Sequence, residues 1–148
     1  LGQDSIEPFL KWKEKGVFLL CKTSNPGAGD LQDLIFTEDG GEKLPLYLLV
    51  ARMAQGWNTR DNIGLVVGAT QPEALAKVRE VAPDLWILLP GVGAQGGDLE
   101  TALRIGLRKD GKGMLITVSR SLARAEDPAR AAAELRDTII NLQYTAHH

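Results

Sequence analysis

The chain has 148 residues, of which 44% are hydrophobic and 24% charged, and its net charge is -2. This is the size and balance of a single globular domain. The slight negative charge argues against nucleic acid or an anionic membrane as the main partner, because both attract clustered Lys and Arg. Apolar runs stay well below the roughly 18 residues of a membrane span, and residues 1–16 resemble a charged helix more than a signal peptide. We therefore expect a soluble, cytoplasmic protein.

The single cysteine and the two histidines do not indicate a metal site. Cys21 lies in an apolar run, where a buried strand residue is expected instead of a reactive thiol. A lone cysteine also excludes an internal disulfide and suits a reducing compartment. His147 and His148 end the chain and are interpreted as a tag remnant or a disordered tail.

Four short apolar runs without polar alternation are predicted to be strands covered on both faces, as in a parallel sheet. They are Val17–Cys21, Ile63–Val67, Leu85–Leu89 and Met114–Val118.

Five helical patterns surround these runs, beginning with one before the first strand. Ser5 is the expected N-cap of this helix, and Gly16 is the expected stop. The second helix is expected to have Pro45 in its first turn and to extend to Gly56.

The other three helices have recognisable starts. Thr70 and Glu73 form a predicted capping box at the start of the third. Asp98 is expected to open the fourth, which runs to about Leu107. The dipeptide at 127–128, Asp-Pro, is expected to open the fifth.

The resulting order is one helix followed by four strand–helix units. This alternation predicts a parallel α/β fold, either a doubly wound sheet or a piece of a (β/α)8 barrel. Binding residues in both architectures follow the carboxyl ends of the strands. The polar segment Thr37–Lys43 is interpreted as a surface loop.

The loop after the third strand favours phosphate binding. It holds glycines at 91, 93, 96 and 97, which leave backbone amides open to an anion, and it ends at the start of a helix. Arg120 follows the next strand and could take a phosphate through two hydrogen bonds. The alternative is that the glycines form only a tight turn and that Arg120 is an ordinary surface residue, with no ligand bound.

A dinucleotide site is an alternative interpretation of this loop. Residues 91–96 match the pattern G-x-G-x-x-G between a strand and a helix. That fingerprint also needs an acidic residue after the next strand to hold a ribose. Ser119 and Arg120 occupy this place, so only an NADP-dependent oxidoreductase would fit.

Four segments in register resemble orotidine 5′-phosphate decarboxylase in its bacterial long-chain branch. They are residues 1–10, 19–28, 64–70 and 89–98. The resemblance extends to about Gln143. It implies that residues 1–143 form the carboxy-terminal half of a (β/α)8 TIM barrel, with parallel strands 5 to 8, and that residues 144–148 are a tail. It also implies a homodimer when the barrel is complete.

The resemblance assigns roles to the residues after the strands. Ser24 matches the serine that hydrogen-bonds the pyrimidine, and Arg120 matches the arginine that clamps the phosphate. Ser119 stands where the family commonly has a glycine whose backbone lies beside that phosphate. The expected contacts in the mobile phosphate loop are Pro90, Gly93, Gln95 and Gly96.

The implied reaction is decarboxylation of orotidine 5′-monophosphate to UMP in pyrimidine biosynthesis, without cofactor or metal. The family's catalytic Asp-x-Lys-x-x-Asp run does not occur in this sequence. Lys22, Asp30 and Asp33 are not expected to replace it, because their loop matches the pyrimidine-binding side. We therefore expect a lyase whose 148-residue piece is inactive alone and needs an amino-terminal half as partner. Another phosphate-binding barrel, or a non-catalytic half-barrel assembly module, remains open.

Overall fold

A computed structural model describes residues 2–38, 40–93 and 97–145. The strands are β1 (Val17–Lys22), β2 (Ile35–Thr37), β3 (Lys43–Pro45), β4 (Ile63–Val67), β5 (Trp86–Pro90) and β6 (Met114–Thr117). The helices are α1 (Gln3–Leu10), α2 (Gly29–Gln32), α3 (Leu46–Trp57), α4 (Pro72–Val81), α5 (Leu99–Gly106), α6 (Arg120–Ala123) and α7 (Pro128–Thr145). A short 3₁₀ turn, Pro26–Ala28, precedes α2.

The main sheet contains four parallel strands in the order β1-β4-β5-β6. Each strand lies beside the next strand of the sheet along the chain, and helices α3, α4 and α5 make the connections. Neighbouring order, parallel pairing and helical crossovers are the features of a (β/α)8 barrel. The predicted class, a four-stranded part of such a barrel, is confirmed.

The core lies between the sheet and its helices. Alternate strand side chains point towards the helices and are almost fully buried, as the period of two in a strand requires. These residues are Leu19, Cys21, Ile63, Leu65, Val67, Ile87 and Leu89. On the helix side they join one cluster with Ala51, Ala54, Leu75, Val78 and Leu103.

The other face of the sheet is open. Phe18, Leu20 and Leu115 alternate with the buried residues of their strands and are exposed, Leu20 to 66%. The Phe18 ring lies across Gly64, where a Cβ would overlap it. A doubly wound sheet has helices on both faces, so the one-sided arrangement removes the structural support for the dinucleotide-binding alternative.

The predicted strands are confirmed with small shifts in their bounds. β1 includes one residue more than predicted, and β5 begins and ends one residue later, so that Pro90 is its last residue. β6 ends at Thr117, one residue early.

The prediction for α1 was wrong at both ends. Gly2 is the N-cap, so Ser5 lies inside the first turn, and the helix ends at Leu10, well before Gly16. Side chains about 50 positions away hold its last carbonyls. Arg60 donates to the Leu10 and Lys11 carbonyl oxygens, and Asn62 Nδ2 donates to those of Leu10 and Trp12.

Two more helix starts differ from the prediction. Pro45 lies just before α3, in extended conformation, instead of in its first turn. The capping box of Thr70 and Glu73 is wrong, because Gln71 is the N-cap of α4 and no side chain caps it. Pro72 takes the first position, where a missing N–H costs nothing.

The other two starts are confirmed. Asp98 precedes α5 and accepts a hydrogen bond from Glu100 N. Asp127 precedes α7 and accepts one from Arg130 N at 2.9 Å. Helix α7 continues to Thr145 and so includes the first two residues of the predicted tail.

The segment Thr37–Lys43 joins an antiparallel hairpin that was not predicted. Its strands, β2 and β3, have only three residues each. Arg52 on α3 binds Glu38 at 2.6 Å and Glu42 at 3.0 Å. Two charges of the segment interpreted as a surface loop therefore hold the hairpin against α3.

Among the described residues, no helix is both long and apolar enough to cross a membrane.

Arg79 on α4 connects the segments at the amino-terminal side of the sheet. Its guanidinium donates to five backbone carbonyls, at distances from 2.8 to 3.2 Å. The acceptors belong to Ala82, Pro83, Leu85, Gly106 and Gly113. Burial lowers the pKa of Arg79 to about 10, and the charge of Arg108 adds to the effect, so the group remains a cation at neutral pH.

Replacing Arg79 with Met should lower the free energy of unfolding by about 2–3 kcal/mol, because a charged donor to several carbonyls is lost. Urea unfolding followed by circular dichroism measures the change. Lys77→Met, at an exposed site on the same helix, is the control and should change it by less than about 0.5 kcal/mol. Equal effects of the two substitutions would show that Arg79 does not hold these segments together.

Candidate functional site

The loops after β1, β4 and β5 meet at one edge of the sheet, because the strands are parallel. Gly68 N donates to the Lys22 carbonyl at 2.8 Å, and Ala69 N donates to the Pro90 carbonyl at 2.8 Å. These bonds continue the sheet beyond the strands. The predicted site residues at these three ends therefore have a common, fixed base.

Ser24 is held by the loop after β4. Its Oγ accepts a hydrogen bond from Thr70 Oγ1 at 2.9 Å. A Cβ at Gly68 would overlap Ser24 Oγ and lie 3.3 Å from Ser24 Cβ and N. Glycine at this position therefore makes the space that Ser24 occupies.

The loop that carries Ser24 is closed at its base by two side-chain contacts. Lys22 Nζ pairs with Asp33 Oδ1 at 2.6 Å. Thr23 N donates to Gln32 Oε1 at 3.0 Å, and Gln32 Nε2 donates to Thr23 Oγ1 at 3.0 Å. The two contacts bring the ends of the segment together, so the loop that presents Ser24 is short and constrained.

Lys22 makes structural contacts within the fold. The pairing of β1 with β4 shifts between Leu20 and Lys22, and such a bulge re-aims the side chains that follow it. The Lys22 ammonium lies 5.6 Å from the centre of the Tyr47 ring and is buried beside it. Asp33 and this ring thus hold Lys22 at the base of the loop. The expectation that it does not replace a catalytic lysine stays a prediction.

Cys21 is a structural thiol, as expected. It is only 1% exposed, and Sγ donates to the Tyr47 carbonyl at 3.2 Å. Burial raises its pKa to about 12, against the smaller opposite effect of Lys22. The thiol therefore stays protonated and unreactive at neutral pH.

The glycine loop after β5 folds back on itself. Gly91 and Gly93 have φ of 96° and 69°, which only glycine adopts easily. Gly93 N donates to the Gly97 carbonyl at 3.1 Å, and Gly97 N donates to that of Gly91 at 3.2 Å. These two amides are used within the loop, unlike the open amides expected there.

Gln95 and Gly96 lie outside the described residues, so their predicted contacts with phosphate stay predictions. Gly97 packs closely on the loop after β4, since a Cβ there would lie 2.5 Å from Ala69 Cβ. Gly97 therefore has a fixed position against the β4 loop.

The Asp98 side chain occupies the start of α5, where an anion site was expected. Its carboxylate accepts bonds from Glu100 N and from the Thr101 hydroxyl. These bonds, that of Thr101 first, lower the pKa of Asp98. The ionised side chain itself satisfies this helix start, so a phosphate would have to bind elsewhere in the loop or at Arg120.

Ser119 and Arg120 follow β6 and start α6. Ser119 is exposed, and its carbonyl accepts a hydrogen bond from Ala123 N at 2.9 Å. Arg120 is also exposed, and its guanidinium has no hydrogen-bond partner among residues 2–38, 40–93 and 97–145. The sheet order places it beside the β5 loop, because Pro90 pairs with Thr117, but Arg120 makes no hydrogen bond or ion pair with the described residues of that loop.

Sequence analysis missed Thr70 and Gln32 as parts of this site. Thr70 was assigned to a helix cap, and Gln32 was given no role. A signal existed only for Thr70, which directly follows the β4 loop residues 68–69. The Ser24–Thr70 contact joins positions 46 apart in sequence, which no local pattern reveals.

Two open cavities lie at the opposite edge of the sheet. One, of about 590 Å³, is bordered by Lys13, Arg60 and Arg108, and another, of about 750 Å³, by Arg79 and Leu107. In barrels of this kind the amino-terminal edge serves stability, and binding occurs at the carboxyl edge. The described part of the chain contains no cluster of three or more His, Cys, Asp or Glu residues suited to a metal.

Replacing Gly68 with Ala should displace Ser24 and lower the free energy of unfolding by about 1–3 kcal/mol, because the new methyl overlaps a constrained loop. Gly56→Ala is the matched control, since nothing lies within 4 Å of its added Cβ and alanine favours a helix by about 1 kcal/mol. Chemical denaturation of both variants measures the difference. A Gly68→Ala protein as stable as the control would contradict the close approach of the two loops.

The family comparison identifies the group to which these loops belong. Residues 1–135 match the model of the orotidine 5′-phosphate decarboxylase / HUMPS family. The orotidine 5′-phosphate decarboxylase of Roseiflexus castenholzii is 52% identical over 94% of this chain and 53% of its own length. That of Thermomicrobium roseum is 53% identical over 94% of this chain and 51% of its length. The chain spans about half the length of the curated relatives it matches.

Solved structures match to the same extent. The OMP decarboxylase of Leishmania donovani superposes with a TM-score of 0.86 and 51% identity, over 97% of this chain and 54% of that one. The UMP synthase of the same organism gives a TM-score of 0.88 and 55% identity, over 97% of this chain and 31% of that one. With its parallel sheet and its carboxyl-edge loops, this chain belongs to the orotidine 5′-phosphate decarboxylase / HUMPS family.

Proposed function

We propose that this chain supplies the pyrimidine- and phosphate-binding half of an orotidine 5′-phosphate decarboxylase. The complete enzyme converts orotidine 5′-monophosphate to UMP and CO₂. The family model covers two kinds of protein, and identities near 50% to curated decarboxylases favour this one.

The observation that carries the proposal is the position of Ser24. It lies at the carboxyl edge, where barrel enzymes bind their substrates. The loop after β4 and the contacts at the base of its own loop constrain it. A hydroxyl fixed in this way can hydrogen-bond a pyrimidine without losing much conformational entropy on binding. Its role in this enzyme is to orient the base.

The phosphate is bound on the other side of the same edge. Arg120 offers an exposed guanidinium there that no described residue pairs with, and its planar fork suits two phosphate oxygens. The Ser119 backbone lies beside it. The β5 loop completes the phosphate site through Pro90, Gly93, Gln95 and Gly96.

These contacts act far from the bond that breaks. In the reaction the carboxylate leaves the pyrimidine ring as CO₂, and a proton takes its place on the ring carbon. Stabilising the negative charge at that carbon needs a cation and a proton donor. Because the Asp-x-Lys-x-x-Asp run does not occur in this sequence, we assign both tasks to a Lys/Asp array outside this chain. Binding energy from Ser24 and Arg120 then helps to orient the ring and to close the loop.

The partner that supplies this array is the amino-terminal half of the same barrel. Its strands would pair with β1 and β6, the two edges of the sheet, and its side chains would cover the open face at Phe18, Leu20 and Leu115. The completed barrel would work as a homodimer in the cytoplasm.

An activity assay of two samples tests the proposal. The 148-residue chain alone should show no loss of orotidine 5′-monophosphate by ultraviolet absorbance. The same chain fused to the amino-terminal half of the Roseiflexus castenholzii relative should show turnover, because the fused barrel has all of its parts. Turnover by the chain alone, retained after Lys22→Ala, would mean that the catalytic groups lie in this half.

Arg120→Ala in the fused barrel separates binding from chemistry. It should raise the KM for orotidine 5′-monophosphate by roughly 10- to 100-fold, as expected for a lost charge-assisted hydrogen bond. Arg136→Ala removes an equal charge from the exposed face of α7 and should leave KM unchanged. The same KM in all three proteins would remove Arg120 from the phosphate site.

A further inference from the structure

Thr70 follows β4 and contacts the predicted base-binding serine. The hydroxyl expected to cap α4 makes no cap and donates to Ser24 Oγ at 2.9 Å instead. Both side chains are half-buried. The hydroxyl of Thr70 is therefore available to act on Ser24.

The backbone around Thr70 is well anchored. Gln71 N donates to the Gly68 carbonyl at 3.1 Å, which forms a turn around Thr70, and Ala69 N is bound to Pro90. Since β-branched side chains have few rotamers, the Thr70 hydroxyl has a defined direction. This gives Ser24 a rigid neighbour on the side of the β4 loop.

The contact with Thr70 restricts the rotation of the Ser24 side chain. Ser24 Oγ lies 2.9 Å from Thr70 Oγ1 and has no other hydrogen-bond partner among the described residues. A single anchored partner favours one orientation of the serine, and a pair of linked hydroxyls strengthens the hydrogen bond that Ser24 can make to a ligand.

We propose that Thr70 is a positioning residue that holds the Ser24 hydroxyl in the orientation in which it hydrogen-bonds the pyrimidine. This role rests on the proposed function, in which Ser24 binds the base. Thr70 itself does not touch the substrate. Without it, the Ser24 hydroxyl can rotate and lose its alignment with the base.

Binding of two ligands to the complete barrel tests this role. The probes are UMP, which has a base, and ribose 5-phosphate, which has none, and calorimetry gives Kd for each. Thr70→Val keeps the shape of the side chain and removes the hydroxyl. It should weaken UMP binding about three- to tenfold, the effect of one neutral hydrogen bond, and leave ribose 5-phosphate binding unchanged.

Two further variants show whether Thr70 acts through Ser24. Thr70→Ser retains the hydroxyl and should bind UMP within about twofold of the parent, as this difference is below a typical hydrogen-bond contribution. In Ser24→Ala, adding Thr70→Val should have no further effect, because a residue that acts only through Ser24 is not additive with it. Thermal unfolding of each variant shows that it is folded.

Several outcomes would overturn the role of Thr70. They are unchanged UMP affinity in Thr70→Val, equal weakening of both ligands, and full additivity with Ser24→Ala. Failure of the parent barrel to bind UMP would overturn the proposed function, and this role with it. Tight UMP binding in the parent and in Thr70→Val alike would overturn only the role of Thr70.

Discussion

The rest of the structure depends on the packing of one face of the parallel sheet against α3, α4 and α5. Ile63, Leu65 and Ile87 are at most 1% exposed, and full burial of such a side chain contributes roughly 1.5–3 kcal/mol. This packing fixes the direction of four strands at once. Their carboxyl ends must therefore meet at one edge, and the position of the candidate site follows from the core.

The opposite face of the same sheet is open. Phe18, Leu20 and Leu115 are apolar and exposed, and β1 and β6 each have an edge without a neighbour among the described strands. Exposed apolar faces and free strand edges favour pairing with another strand or sheet. In the proposed function, an amino-terminal half would cover this face and pair with these edges.

The sequence predicted those elements of the fold that depend on residues close together in the chain. The four strands followed from uninterrupted apolar runs, and the starts of α5 and α7 from Asp98 and Asp127, whose side chains bond to the adjacent helix amides. The end of α1 was missed because Arg60 and Asn62, far along the chain, hold its carbonyls. No motif near α1 contains that information.

In the site, too, the positions of residues along the chain were predicted, but the contacts between distant residues were not. The family resemblance placed Ser24 and Arg120 at strand ends, and the sheet puts them at one edge. The resemblance did not reveal that Thr70 binds Ser24, or that Asp98 satisfies the start of α5 in place of an anion. Both depend on side-chain directions in the folded chain. The pairing of Lys22 with Asp33 also became visible only when a bulge in β1 turned the lysine towards Tyr47.

Ser24 and Arg120 are proposed to bind the two ends of one nucleotide. A crystal structure of the complete barrel with UMP would show both contacts. We expect Ser24 Oγ within about 3 Å of a polar atom of the base, and the Arg120 guanidinium on the phosphate at about the same distance, as hydrogen bonds of these kinds require. A nucleotide bound at the amino-terminal edge, or a base that contacts neither Ser24 nor its loop, would rule out this assignment.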